Sequence, residues 1–352
     1  MKKHTSACFA ALRDNLPLDK RRVELLACLL IALLQQNTAN LARLANVLDL
    51  DVKKESKYKR LQRFLRHAPL TDEMLARLLL AIVKPSGKYI LALDRTEWKY
   101  GAVWVNILTL SIVCGNTAIP LLWQTLNRKG NSTLAEKKTL LDRYRRLFGV
   151  NEIDYLCADR EFDGYQFVQY LKRERIPFRL RVKVSMKLTD KRGKLMKCGK
   201  LLRTLKLGES YKLRRARRYG GVEVFVEVQR GRDSKESVIV LSSEPSGKIL
   251  LEYKRRWAIE TLFQNLKGRG FELEATHLRE AGRIDKLFGV LALGVAWAVK
   301  TGEAESVVKA PVIKKNGRPQ QSLFRLGCDL LQEVFLEIKR YSTVNIFEIL
   351  RC

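Results

Sequence analysis

Apolar and polar positions divide the chain into stretches of different rhythm. Residues 1–85 repeat at helical spacing. Leu25–Leu34 is an almost unbroken apolar run that predicts a buried helix. Asn37-Thr38-Ala39-Asn40 follows and offers caps for a second, short helix through Ala45. Lys53–Phe64 keeps the helical period but carries a basic outer face. Pro85-Ser86-Gly87 then breaks the pattern, and the rhythm changes.

After that break come three apolar stretches with strand character, Tyr89–Asp94, Trp104–Cys114 and Ile119–Leu126. Thr133 and Glu136 have capping-box spacing and open a predicted helix to about Phe148. Tyr155–Asp159 reads as a short buried strand, Gly164–Glu174 as a helix and Phe178–Val184 as another strand. Three strands, helix, strand, helix, strand is the element order of a ribonuclease-H-like α/β core. Residues 185–246, with the alternation Val222-Glu223-Val224-Phe225-Val226-Glu227-Val228, read as a β-rich insertion outside that core. A helix over 247–268, the apolar run Leu287–Val299 and a helical stretch near 322–340 complete the pattern. The predicted organisation is a helical region 1–85, a core in two parts (86–184 and 247–300), the insertion between them, and a helical region 301–352.

Within the 247–268 helix, Tyr253, Arg256, Glu260 and Lys267 are spaced by three, four and seven residues. At about 100° per residue they share an arc of roughly 60°. Leu251, Ala258, Leu262 and Leu266 take the opposite side, suited to a core. Such a helix has a solvated charged face or a face that grips a charged ligand.

Charge favours the second reading. The chain has 352 residues and a formal net charge of +30, with 46% hydrophobic residues, so it is a folded, strongly basic protein. Between Lys172 and Arg218 there are 19 Lys or Arg against three acids, and the first 70 residues hold 14 against six. Two basic surfaces suit a long polyanion, for which nucleic acid is the prime candidate. Arg214, Arg215, Arg217 and Arg218 flank Tyr219 at a predicted turn and suit phosphate contacts. Lys57, Arg60 and Arg63 lie on the basic N-terminal helix, which reads either as part of a helix-turn-helix or as a solvated bundle face.

Seven scattered cysteines without a C-x-x-C pair, and three dispersed histidines, fit neither a disulfide framework nor a zinc site. The apolar runs are shorter than the roughly 20 residues a spanning helix needs. The sequence thus predicts a cytoplasmic protein with no membrane partner.

Asp94 stands at the end of the first predicted strand, in Leu93-Asp94-Arg95-Thr96, and Asp159 at the end of the fourth, in Ala158-Asp159-Arg160-Glu161-Phe162. Sheet ends are where α/β folds meet their ligands. With Glu260 they give three carboxylates from three elements, a set suited to hard divalent cations and phosphoryl transfer. Glu161 and Asp163, and more weakly Glu97, are the substitutes should one of these acids not serve.

These two Asp contexts and the Y-x2-R-x3-E-x6-K set at 253–267 resemble the catalytic signatures of DDE transposases of bacterial insertion sequences, specifically the insertion-sequence-four family with its β-rich insert. The resemblance spans roughly residues 85–300. It implies that Asp94, Asp159 and Glu260 ligate two Mg²⁺ or Mn²⁺ ions. Tyr253, Arg256 and Lys267 would then grip transposon-end phosphates. Further implications are cut-and-paste transposition through DNA hairpins at inverted repeats, a homodimeric assembly on double-stranded DNA, and a place at the bacterial nucleoid. Trp257 fits either stacking on an extruded base or a core position. His277, in Glu274-Ala275-Thr276-His277-Leu278, also matches the family, without an assigned role. A ribonuclease-H-like nuclease shares the acids, and a catalytically dead DNA-binding regulator shares the basic surfaces.

Overall fold

A computed structural model describes residues 3–351 except 127, 233–235, 316, 318 and 338–343. Five helices come first: α1 (Lys3–Arg13), α2 (Lys20–Gln36), α3 (Leu41–Val47), α4 (Lys54–His67) and α5 (Asp72–Val83). Side-chain oxygens of Asp19, Asn40 and Thr71 cap α2, α3 and α5 by accepting from backbone N–H groups of their first turns. Leu26 to Leu34 are all buried, as the unbroken apolar run predicts.

Next come β1 (Tyr89–Tyr100), β2 (Val103–Cys114), β3 (Thr117–Leu126), α6 (Leu134–Phe148), β4 (Ile153–Ala158), α7 (Tyr165–Arg173) and β5 (Phe178–Arg181). Both halves of the Thr133–Glu136 capping box form at the start of α6. Short strands follow: β6 (Lys187–Thr189), β7 (Leu195–Lys197), β8 (Ser210–Lys212) and β9 (Arg217–Tyr219). The longer β10 (Val222–Gln229) and β11 (Val238–Ser242) complete them. Helices α8 (Ile249–Tyr253), α9 (Trp257–Leu266), α10 (Ala281–Val308) and α11 (Leu323–Phe335) close the chain. Positions 338–340 of the expected helix near 322–340 lie outside the described residues.

The strands form one nine-stranded mixed sheet in the order β3-β2-β1-β4-β5-β11-β10-β8, with β9 also paired to β10. β1, β4 and β5 are parallel, and β2 and β3 extend the β1 edge antiparallel. This mixed α/β arrangement is consistent with the ribonuclease-H-like core expected from the element order. One expectation changes: residues 185–246 are not wholly outside the core. β11 pairs antiparallel with β5, so β8, β10 and β11 continue the central sheet, and only β6–β7 stand as a separate two-stranded sheet. Val224, Val226 and Val228 are buried, so the alternation marks an inner face of that sheet. Gly220 and Gly221, at φ 57° and 84°, make the two-residue turn between β9 and β10. Residues with a Cβ are strained in that left-handed pair.

The apolar run Leu287–Val299 lies inside the 28-residue α10. That helix is long and apolar enough to cross a membrane, yet 83% of its most apolar window is buried in the protein, against α2, α5, α11 and β3. Helices apolar all round are core helices when the fold surrounds them. Its crossing with α11 is close. A Cβ at Gly327 would fall 1.7 Å from the Ala298 carbonyl oxygen, and one at Gly302 would fall 2.0 Å from that of Leu323.

Candidate active site

Asp94 is not at the end of its strand, because β1 runs on six residues to Tyr100. It is at the end of the parallel ladder. Leu93 opposite Ala158 is the last β1–β4 pair, so Asp94 and Asp159 are the next residues on two neighbouring strands. Beyond that point β1 pairs only with β2. The two acids therefore emerge side by side where β4 stops and its chain turns into the 3₁₀ segment Arg160–Phe162.

The third acid arrives on a helix that is not continuous. The expected single helix is broken into α8, a 3₁₀ turn at Lys254–Arg256, and α9. A 3₁₀ turn advances with 3.0 residues per turn rather than 3.6, which changes the facing of everything before it. Leu251, expected on the core side, is 58% exposed, whereas Ala258, Leu262 and Leu266 are buried as expected. Tyr253 and Arg256 are buried rather than surface residues, and Lys267 caps α9 from outside its last turn.

Arg256 is the hub. Its Nη1 donates to Asp94 Oδ2 at 3.1 Å and its Nη2 to Glu260 Oε1 at 2.5 Å. Its Nε donates to the Tyr253 hydroxyl at 3.0 Å, and that hydroxyl donates to Asp159 Oδ1 at 3.1 Å. Asp94, Asp159, Glu260, Tyr253 and Arg256 are thus one connected cluster. Lys267 stands apart: its Nζ donates to the Glu97 carbonyl at 3.0 Å, pairs with Glu274 at 2.8 Å and lies over the Trp98 ring. Trp257 is 60% exposed, which removes the core alternative for its side chain.

Burial pushes the Asp94 carboxyl up to about 7, against the opposing pull of Arg256 and of the Arg95 N–H that donates to it. Burial acts on Asp159 in the same direction. There Arg256, the Arg160 backbone, Arg181 and Tyr253 outweigh it and hold the carboxyl below its ordinary value. The four acidic and phenolic neighbours of Arg256 outweigh its own burial and hold it firmly protonated. Two acids of one cluster with opposite shifts are a pattern found at reactive sites.

Carboxylate oxygens are the donors that Mg²⁺ and Mn²⁺ take, so the chemistry of the set fits such an ion. As arranged, no three acidic, His or Cys groups among the described residues stand close enough together to hold a metal. The guanidinium spans Asp94 and Glu260 instead. The substitute acids are engaged elsewhere. Both Glu161 oxygens accept from Arg95 Nε, at 2.9 and 3.0 Å, and Glu97 accepts from Arg95 Nη1 at 2.8 Å. Asp163 accepts from the Lys183 backbone and the Tyr219 hydroxyl.

Over residues 85–294 the sequence matches the family described as the transposase DDE domain. The chain belongs to that family. No curated protein matches it. Among solved structures, endonuclease V from Bacillus subtilis aligns over 65% of this chain and 90% of its own, with 12% identity and a TM-score of 0.26. That likeness is too slight to inform the site.

Around the acids of this transposase are basic residues that the sequence reading passed over. Arg95 and Arg160 directly follow the two aspartates, and Arg181 Nη1 lies 3.5 Å from Asp159 Oδ1. The signal was present as Asp-Arg repeated after both apolar runs, Leu91-Ala92-Leu93 and Leu156-Cys157-Ala158. Of the insertion arginines, Arg214, Arg215 and Arg218 are exposed. Arg217 is half-buried and donates to the Arg215 and Ala216 carbonyls. In α4, Arg60 and Arg63 are exposed and share a shallow hollow with Arg21, Arg22 and His67. Lys57 instead turns inward, donating from Nζ to the Leu48 carbonyl at 2.7 Å. His277 is exposed and stacks on Tyr100, ring centroids 4.8 Å apart.

Proposed function

We propose that the protein is the transposase of an insertion sequence of the Y-R-E-K type, cutting and joining DNA by metal-dependent phosphoryl transfer at inverted-repeat ends. The observation that carries this reading is the convergence of Asp94, Asp159 and Glu260, from β1, the end of β4 and α9, on the buried pair Arg256 and Tyr253. Asp94, Asp159 and Glu260 would hold two Mg²⁺ or Mn²⁺ ions, which supply Lewis-acid activation of the attacking oxygen and charge stabilisation of the leaving one. Arg256, with Tyr253 behind it, positions the scissile phosphate, since a guanidinium matches phosphate oxygens in fork geometry. Lys267 steadies the segment after α9 and contributes positive charge beside Trp98. Arg214, Arg215 and Arg218, and Arg60 and Arg63 in α4, hold the duplex by its phosphates.

In this reading the donor is excised through hairpin ends in a homodimeric complex acting on bacterial chromosomal DNA, with the β-rich segment 185–246 and the terminal helices serving as DNA-holding regions. The test uses purified protein, Mg²⁺ and labelled duplexes made from the DNA that flanks the gene. Nicking, hairpin formation and strand transfer are expected. Asp94→Ala, Asp159→Ala and Glu260→Ala each abolish them while DNA binding remains. Cleavage without joining identifies a nuclease, binding without cleavage identifies a regulator, and undiminished cleavage by any one of the three variants sinks the triad.

A further inference from the structure

Arg256 sits where a cation would have to go. It is 8% exposed, and it binds Asp94 and Glu260 directly and Asp159 through a single phenol. An ion that takes Asp94 Oδ2 and Glu260 Oε1 as ligands displaces two charge-assisted hydrogen bonds from the same guanidinium. The residue also belongs to the 3₁₀ turn between α8 and α9, a tighter and less well bonded segment of the kind that marks hinges. Lys254 and Arg255, beside it in that turn, are exposed. The turn therefore carries two exposed cations next in sequence to the buried one.

We infer that Arg256 is a stand-in cation and a substrate-operated gate on metal loading. In the free protein it neutralises Asp94 and Glu260 and keeps divalent ions weakly bound. When a DNA phosphate takes its guanidinium, the acids are released to the metal. DNA and metal then bind with positive coupling, and by linkage each tightens the other by the same factor. Without DNA the site stays unloaded. The inference rests on the metal-dependent transposase reading above, and its test separates the two.

Free Mn²⁺ is counted by electron paramagnetic resonance at pH 8 with the full chain, with and without a duplex from the gene's flanking DNA. Arg256→Ala and the near-isosteric Arg256→Gln are expected to bind Mn²⁺ about tenfold or more tighter than the wild type in the absence of DNA, within the usual range of coupling factors. Arg256→Lys, which keeps the charge, returns weak binding. Adding DNA tightens Mn²⁺ on the wild type by a similar factor and leaves the Ala and Gln variants nearly unchanged. Equal Mn²⁺ affinity in wild type and both variants without DNA, abolished in each by Asp94→Ala, overturns the gate alone. Absence of Mn²⁺ binding to every form, with and without DNA, overturns the metal reading as well.

Discussion

Arg95 and Glu161 are joined by a bifurcated hydrogen bond, the Arg95 Nε donating to both carboxylate oxygens at 2.9 and 3.0 Å. Arg95 directly follows Asp94 and Glu161 lies two residues beyond Asp159, so the pair ties β1, where its ladder with β4 ends, to the 3₁₀ segment after β4. Arg95 also reaches Glu97 and Asn131. With side chains 13% and 22% exposed, the pair is only partly solvated, and removing one partner strands the other. Arg95→Ala is predicted to lower stability by about 2–4 kcal/mol in denaturant unfolding. It should also cut strand cleavage roughly a hundredfold by letting Asp94 and Asp159 drift apart. Arg95→Lys, which keeps the charge but lacks the fork, recovers more stability than activity. Wild-type cleavage by Arg95→Ala would remove the positioning role.

The raised Asp94 carboxyl makes a stability prediction with a definite sign. Its folded value, about 7, lies above the ordinary 3.8, so the folded state holds the proton more tightly than the unfolded chain does. The stabilisation from this group is complete below pH 3.8 and is lost as pH rises through about 7. Above 7 the buried carboxylate is a cost borne for function. Asp94→Asn keeps the shape without the charge. It is therefore predicted to melt higher than wild type at pH 8 and nearly equal at pH 4, by calorimetry across that range. Parallel melting curves for the two proteins at every pH would show that the carboxyl is not strained.

Much of this arrangement was legible in the chain because it follows from local pattern. The apolar runs gave β2, β3, β4 and the centre of α10, and Thr133 with Glu136 gave the start of α6. Other features depend on tertiary pairing, and pattern does not carry them. Asp94 looks like a strand terminus because the apolar run ends there. β1 continues because β2 supplies ladder partners for a polar segment, Arg95 opposite Leu108 and Glu97 opposite Asn106. The 3₁₀ turn at Lys254–Arg256 leaves no trace in residue spacing, so a straight-helix projection put Leu251 on the core side and Tyr253 and Arg256 on the opposite, charged face. Lys57 reads as a surface cation until the Leu48 carbonyl is seen beneath it.

The exposed arginines of the insertion permit a test that spares the fold. Arg214, Arg215 and Arg218 reach solvent, whereas Arg217 is tied to backbone carbonyls. If the three contact phosphates, each Ala substitution should weaken binding to any duplex alike. Each should also shallow the dependence of log affinity on log salt by about 0.9. Melting temperature should not change, because none of the three side chains packs into the core. Arg217→Ala is predicted to leave the salt slope as it was. The measurement is fluorescence anisotropy over a salt series, and an unchanged slope in the triple variant would place the DNA elsewhere.

Trp257 is 60% exposed at the first position of α9, directly after the buried Arg256, while Trp98, Trp123 and Trp297 are in the core. A large aromatic left in water beside a basic turn is costly to solubility and gives nothing to packing, so its value must lie in what it meets. Trp257→Ala is predicted to change stability by less than about 0.5 kcal/mol, as for an unpacked surface site. It is also predicted to weaken the complex with a pre-nicked or single-stranded end by about 1–3 kcal/mol, the range for one stacked base. Intact duplex should be affected far less, because its bases are not available to stack. The tryptophan emission that Trp257→Phe removes should be quenched when the nicked end is added to wild type. A large drop in melting temperature for Trp257→Ala, with unaltered binding to both DNAs, would assign this side chain to packing after all.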